Sequence, residues 1–380
     1  MKIVFTGGGT GGHFYPLIAI AESVRKAARE QHLIKPQLFY IAPSAFDEEA
    51  LFENEIRYIS CPAGKWRRYF SLQNVTDLFV SGIGFMSAWF TLFSLFPDVV
   101  VSKGGYASVP VTLAAKFLGI PVIIHESDAK PGRANLMASK FAKRIAVTFS
   151  ESASYFPEKV RSRVARTGIP IRSLLMQPEH EGAHAHFGID ATLPTILVLG
   201  GSSGAQHVND VMIDALADLT SFANVLHQTG KDLFKTTQAM ANLVLEKAPH
   251  KDRYHAVPYL SALSMRQAAG AADLVISRAG MTAIAEIAMW KKPSILIPIP
   301  ETVSHDQRTN AYAYARTGAA TVLEEANLNG HILSSEAKRI LTNPEVKRQM
   351  IEQTSLFANE DAGKIIAEEI LTIALPHQAS

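Results

Sequence analysis

Short apolar runs alternate with longer stretches of helical periodicity along this chain of 380 residues. Two openings share one plan. Lys2-Ile-Val-Phe-Thr-Gly-Gly-Gly9 and Thr195-Ile-Leu-Val-Leu-Gly-Gly-Ser202 each set an apolar, β-branched strand before a glycine turn, with a helix expected at 15–28 and at 205–219. Further apolar runs follow at 37–42, 99–102, 122–125 and 144–149 after the first opening, and at 225–229, 254–257, 274–277, 294–297 and 320–323 after the second. Runs that are apolar on both faces, separated by helices, predict parallel sheets covered on both sides. The expected fold class is α/β: two doubly wound parallel-sheet domains facing across a cleft, with ligands at the carboxyl ends of the strands. The domains are expected at 1–168 and 169–358, joined at Gly168-Ile169-Pro170. A last segment, 359–380, carries an amphipathic helix at 361–374 through Ile365, Ile366, Ile370 and Leu371, suited to pack back on the first domain.

One stretch departs from this rhythm. Residues 78–96 carry no charge, and at helical rise they span about 28 Å, near the thickness of a bilayer core. A spanning helix there would cut the first domain in half. Ser81, Gly84, Ser87, Thr91 and Ser94 recur at near-helical spacing opposite Phe79, Ile83, Met86 and Phe90. That pattern predicts a helix with one face on the sheet and one apolar face available to a membrane surface. Shortly before it, Lys65, Arg67 and Arg68 interleave with Trp66, Tyr69 and Phe70, a cluster suited to anionic head groups. The total charge conceals this cluster: 37 Lys and Arg against 35 Asp and Glu give a net charge of only +2, so no nucleic-acid partner is expected. With 47% hydrophobic and 19% charged residues the chain is a folded globular protein and not a disordered one. A single cysteine, Cys61, allows neither an internal disulfide nor a thiolate zinc cluster, and favours a reducing, cytoplasmic setting. The chain starts directly on a strand and a turn, where a signal peptide would need a longer apolar stretch.

Gly7-x-Gly9-x-x-Gly12 fits the dinucleotide fingerprint in letter and context, but the second strand ends in Ala42-Pro43-Ser44 where that fingerprint needs an acid for the ribose. What remains is a glycine loop whose N–H groups approach a diphosphate or a sugar, with His13 at the start of the helix, well sited as a general base. His180-Glu-Gly-Ala-His184 matches the zinc-protease pattern literally. That chemistry needs both rings on one rigid helical face, and Gly182 in a polar stretch argues for chance composition, so no metal is expected. Ser277-Arg-Ala-Gly280 follows an apolar run and precedes a helix carrying Glu286; strand, glycine turn and helix N-terminus make an anion site, with Arg278 beside it. The turn at 200–204 repeats this logic. The sequence contains no Asp-x-Asp, the usual metal clamp for a nucleotide-sugar diphosphate, which leaves that task to helix dipoles and arginines.

Taken together these segments resemble the MurG family, the lipid-linked N-acetylglucosaminyltransferases of peptidoglycan synthesis. The resemblance runs through nearly the whole chain. It is carried by Thr6-Gly-Gly-Gly-Thr-Gly-Gly-His13 with Pro16, Lys103-Gly-Gly-Tyr106 with Ser108 and Pro110, His125-Glu126 with Pro131-Gly132 and Asn135, and Thr167-Gly-x-Pro-x-Arg172. The second half adds Gly200-Gly-Ser-x-Gly-Ala205 with Asn209, His227-Gln228-x-Gly230, the run from Ala272 to Gly280 with Glu286, Pro298-x-Pro300, Gln307-x-x-Asn310-Ala311 and Gly318-Ala-Ala320.

The resemblance implies a GT-B fold of two Rossmann-like domains and an inverting transfer of N-acetylglucosamine from UDP-N-acetylglucosamine to muramoyl-pentapeptide on undecaprenyl diphosphate, without a cofactor. It implies a peripheral enzyme on the cytoplasmic face of the cell membrane, in contact with anionic lipid, and leaves room for other cell-wall or division proteins as partners. Thr10, Gly11, Gly12 and His13 would lie on the acceptor side, with His13 or Glu126 as the base and Asp128 and Asn135 nearby. Arg172, Ser202, Arg278, Gly280, Met281 and Thr282 would meet the diphosphate and uridine, Leu260 the uracil through its backbone, Glu286 the ribose and Gln307 the sugar. The chain departs from the family pattern at Ser127-Asp128, where Gln-Asn is common, and at Ser203, Ile169 and Asp306. Two other readings stay open: another transferase or an epimerase of the same fold, and a non-catalytic membrane scaffold that binds the sugar nucleotide. Turnover that depends on a lipid-diphosphate acceptor separates the three.

Overall fold

The computed structural model describes residues 1–64, 73–201, 204–301 and 305–375, with the side chains of 73–76, 78, 305 and 306 left aside. The basic cluster Lys65, Arg67 and Arg68, and Ser202 and Ser203, lie outside the described residues. The chain divides into two compact units, Met1–Arg172 with Asn359–Ser380, and Ser173–Ala358.

The first unit is built on β1 (Lys2–Gly7), β2 (Gln37–Ala42), β3 (Ile56–Ser60), β4 (Val99–Gly104), β5 (Val122–Glu126), β6 (Arg144–Val147) and β7 (Val164–Arg166). They form one parallel sheet in the order β3-β2-β1-β4-β5-β6-β7. Strand alternation feeds two cores. Ile3 and Phe5 turn to a layer made by the helix Gly11–Glu30 and the helix Ala362–Ala374, with Phe14, Leu17, Val24, Ile366 and Ile370 buried there. Val4, Phe39, Ile41 and Ile124 turn to the opposite layer, against Leu92 and Val111. The edge strands β3 and β7 were not expected from apolar runs. Ile56-Arg-Tyr-Ile-Ser60 is only partly buried, and Val164-Ala-Arg166 is three residues of largely exposed chain; an edge strand needs no continuous apolar run.

The first unit runs past the expected join at Gly168 to Arg172. Gly168 is held inside it: its N–H bonds the Val147 carbonyl, and its own carbonyl faces the His125 ring. On the returning chain the Asn359 amide donates to the Thr167 carbonyl at 2.7 Å.

The second unit holds β8 (Thr195–Leu199), β9 (Asn224–Gln228), β10 (Tyr254–Val257), β11 (Leu274–Ser277), β12 (Ser294–Leu296) and β13 (Ala320–Val322), parallel throughout in the order β10-β9-β8-β11-β12-β13. In each sheet the strand order reverses beside the opening strand, between β1 and β4 and between β8 and β11, which is where an open α/β sheet leaves a crevice for a ligand.

The uncharged stretch lies in a helix, Gln73–Leu95, leading into β4. Gly84, Ala88 and Leu92 are buried on its inward face, with Phe85, Trp89 and Leu95 packed beside them. A Cβ on Gly84 would stand 1.9 Å from the Pro62 carbonyl oxygen, so only glycine permits this approach. A second row of large side chains points out, with Phe79 71%, Ile83 62% and Phe90 60% exposed, and Met86, Phe93 and Phe96 exposed beside them. Among the described residues no helix is long and apolar enough to cross a membrane.

Candidate active site

At the β1–β4 crevice the chain leaves Gly7 and enters the helix through Thr10, whose backbone is extended while its carbonyl accepts the His13 and Phe14 N–H groups. The Thr10 hydroxyl caps no amide; Oγ1 lies 2.9 Å from His13 Nδ1 instead. The N–H groups of the first turn, at Gly11 and Gly12, have no acceptor within the helix and carry the positive end of its dipole. Across the crevice, Gly104 and Gly105 both have positive φ (85° and 78°). A side chain on Gly104 would collide with the Asn135 amide at 2.8 Å, and one on Gly105 would come within 3.6 Å of His13 Nε2. His13 therefore faces the backbone at the end of β4, half-buried, with Nε2 toward the crevice. Burial, assisted by Lys103 and opposed by Asp128, lowers its pKa to about 4, so the ring is neutral at physiological pH.

Glu126, at the end of β5, is buried and takes three donors: Asp128 N on Oε1, and Gly132 N and Asn135 Nδ2 on Oε2, each at 2.9 Å. Asn135 also donates to the His125 carbonyl at 3.2 Å. The carboxyl thus fastens the loop that follows β5 to the helix Arg133–Ser139. Burial, then Asp128, raise its pKa to about 6, while Lys103 and the N–H donors pull it back. His125 is buried and its Nε2 lies 2.9 Å from the Gly168 carbonyl; the carbonyl only accepts, so Nε2 carries the proton. Burial lowers its pKa to about 3. Arg172 lies with its guanidinium 4.0 Å over the Tyr15 ring.

Three residues of this crevice were given no role from sequence. Lys103 donates to Ser127 Oγ at 2.7 Å, and Tyr106 packs under Gly9, where an added Cβ would meet its ring at 3.1 Å. Lys103 and Tyr106 were visible only as letters of a motif, because spacing along the chain does not say that the ends of β4 and β5 are neighbours.

In the second unit the turn after β8 passes Gly200 and Gly201 to the helix Gln206–Thr220. Asn209 on that helix donates to the Thr229 carbonyl at 3.0 Å, and its Oδ1 meets His227 Nε2 at 3.0 Å; His227 Nδ1 in turn meets the Tyr254 hydroxyl at 3.1 Å. This buried chain fixes the turn after β9 to the helix. Gln228 donates to the Gly201 carbonyl at 3.2 Å and accepts the Leu260 N–H at 3.1 Å. After β11, Gly280 leads into the helix Met281–Met289, placing the N–H groups of Met281 and Thr282 in the first turn and half-buried Glu286 further along. Arg278 is held by an ion pair with Glu325 and donates to the Ile297 carbonyl at 3.2 Å. Gln307 accepts the Ile299 N–H at 3.2 Å.

His180 lies before the helix Ala183–Phe187 and bonds the Gly270 carbonyl through Nδ1, so His180 and His184 do not share a helical face. Among the described residues no group of three metal-ligating side chains occurs.

Comparisons with known proteins match both halves. The N-terminal domain of glycosyltransferase family 28 matches residues 3–147 and its C-terminal domain residues 195–366. A UDP-N-acetylglucosamine–N-acetylmuramyl-(pentapeptide) pyrophosphoryl-undecaprenol N-acetylglucosamine transferase of Treponema denticola is 34% identical over 96% of each chain. One of Bacillus cereus is 34% identical over 97% of this chain and 99% of that protein. Among solved structures, MurG of Acinetobacter baumannii superposes with a TM-score of 0.71 at 26% identity, covering 98% of this chain and 99% of that one. A putative UDP-N-acetylglucosamine 2-epimerase of Listeria monocytogenes also reaches 0.71, covering 99% and 96% of the two chains, but at 13% identity, a likeness of fold alone.

Proposed function

The chain belongs to glycosyltransferase family 28, as a GT-B enzyme of the MurG type, and from that premise we propose that it moves N-acetylglucosamine from UDP-N-acetylglucosamine to the muramoyl-pentapeptide carried on undecaprenyl diphosphate. The observation that carries the chemistry is His13: a neutral imidazole at the switch point of the first sheet, its Nδ1 engaged by Thr10 and its Nε2 toward the crevice. With the proton on Nδ1 and donated to Thr10, the Nε2 lone pair accepts the proton of the acceptor hydroxyl. That oxygen attacks the anomeric carbon, the bond from this carbon to the diphosphate oxygen breaks, and UDP departs with inversion.

Glu126 is occupied by three donors. Its part is to hold the acceptor loop with Asn135 and Asp128, and the base is His13. On the donor side the first-turn N–H groups at Gly280, Met281 and Thr282 would face the charge that develops on the departing diphosphate, with Ser202 as a further candidate from the family resemblance. Arg172 adds a cation in the first unit. Arg278, neutralised by Glu325, shapes its turn as much as it attracts the phosphate. Glu286 accepts the ribose hydroxyls, the Leu260 carbonyl and Gln228 frame the uracil, and Gln307 meets the sugar.

The lipid acceptor places the reaction at a membrane surface. The outward row Phe79, Ile83 and Phe90, on a helix that cannot span, supports peripheral contact with the cytoplasmic leaflet, with Lys65, Arg67 and Arg68 as partners for anionic lipid. Purified protein given labelled UDP-N-acetylglucosamine and the lipid acceptor is expected to release UDP and label the lipid. His13→Ala should lose roughly 10²- to 10⁴-fold in turnover while calorimetry shows unchanged donor affinity. Acceptor-independent UDP release, or full turnover by the variant, overturns the reading.

A further inference from the structure

Lys103 sits at the end of β4 with 2% of its surface exposed, and its ammonium donates to Ser127 Oγ, a neutral partner, at 2.7 Å. A buried ammonium is costly unless opposite charge stands close. Two carboxylates supply it: Glu126 and, less strongly, Asp128. The same two carboxylates repel each other, since Asp128 follows Glu126 by two residues and its N–H is bonded to Glu126 Oε1. Glu126 needs its charge, because all its bonds accept N–H donors and a proton on either oxygen would point at one of them. Asp128 stands where the family pattern has a neutral asparagine, so this chain carries an additional negative charge in the loop and a buried positive charge beneath it.

We propose that Lys103, Glu126 and Asp128 act as one coupled charge cluster, in which Lys103, oriented by Ser127, is a positioning residue that offsets the two carboxylates, keeps Glu126 ionised and the 126–135 loop fastened on the acceptor side of the site. The two charges act in opposite directions on their neighbours. Lys103 lowers the pKa of both Glu126 and His13, and Asp128 raises both. The groups facing this cluster are His13 from the helix Gly11–Glu30, Tyr40 from β2, Tyr106 after β4, and His125 on β5; Tyr40 donates to the Gly7 carbonyl, and His125 is held by Gly168. Removing Lys103 therefore leaves two carboxylates unopposed, removing Asp128 leaves Lys103 facing Glu126 alone, and removing both returns the cluster to its original net charge.

The inference rests on reading the β1–β4 crevice as the acceptor side. Its test is a double-mutant cycle on the full chain, with kcat/KM followed against pH using lipid acceptor. Lys103→Met is expected to lose at least about tenfold in kcat/KM and to move the acid limb to higher pH. Asp128→Asn should move that limb to lower pH. The double variant should recover to within about threefold of its Asp128→Asn parent, with its limb back near the wild-type position. Circular dichroism and melting check folding, and Lys103→Gln, which keeps a polar head beside Ser127, replaces Lys103→Met if that variant does not fold. An unmoved acid limb in the lysine variant, or a double variant as impaired as the product of the two singles, overturns the coupled cluster. Failure of the underlying reading looks different: His13→Ala and all three cycle variants would then turn over like wild type.

Discussion

His13, His125 and His227 lie on three different strands or helix starts and share one physical condition. Burial brings them to about 4, 3 and 3, from an ordinary value of 6.5. A group depressed in the folded state contributes stability that is complete above its unfolded value and is lost as pH falls toward the folded one, because the unfolded chain takes up protons that the folded chain refuses. For these histidines the window runs from about pH 6.5 downward. Glu126 works in the other sense between its ordinary 4.5 and about 6, where the folded chain holds the additional proton. Three groups outweigh one, so the melting temperature should fall steadily from pH 7 to pH 4.5, and His227→Gln should flatten that slope. Melts that stay level over this range would show that the rings are not held neutral. His13 stood out in the sequence because it follows an apolar run and a glycine turn, whereas Glu126 stood out only through the family resemblance. The work of Lys103, Asn209 and Gln228 was not legible there, since each acts across neighbouring strands whose pairing the sequence does not state.

The helix Gln73–Leu95 is apolar on two faces. Gly84, Ala88 and Leu92 face the core with Phe85, Trp89 and Leu95 packed beside them, while a second large apolar row, Phe79, Ile83 and Phe90, faces out. The outward row was legible; of the small stripe read from the sequence only Gly84 is buried, Ser81, Ser87 and Thr91 lie at the margin and Ser94 is exposed, and the approach to Pro62 is seen only in the structure. Exposed apolar rows of this kind mark a surface that meets another apolar phase. Replacing Phe79, Ile83 and Phe90 together by serine should reduce co-sedimentation with vesicles containing anionic lipid, and leave the melting temperature within about a degree or two, because exposed substitutions cost little folding stability. Unchanged sedimentation would remove this face from membrane contact. The strands β3 and β7 escaped the reading for the opposite reason: edge positions tolerate mixed polarity, so nothing apolar announces them.

Across the whole molecule, the two strand–glycine–helix openings were enough to indicate two sheets, because a continuous apolar strand followed by a helix has few stable arrangements other than a parallel layer. The unit boundary was harder to place, since Gly168 looks like a linker in sequence and is held inside the first unit by Val147 and His125. The segment 359–380 is part of that unit, and its helix buries Ile366, Ala367, Ile370 and Leu371 in the same core as Phe14 and Leu17. At about 1.5–3 kcal/mol for each large buried side chain, removing residues 359–380 should cost much of a typical domain's stability. Limited proteolysis of the truncated chain should then cut first within 1–172 while 173–358 stays protected. Equal protection of both halves would show that the helix is dispensable.

That same helix sets an order of events during synthesis. The ribosome delivers Ser173–Ala358 in full before it delivers the residues that close the first core. The unit begun first is thus finished last: the second unit can reach its native state on the growing chain while the face of the helix Gly11–Glu30 still lies open, and the nascent protein spends that interval with an apolar face of its first unit exposed to other unfolded chains.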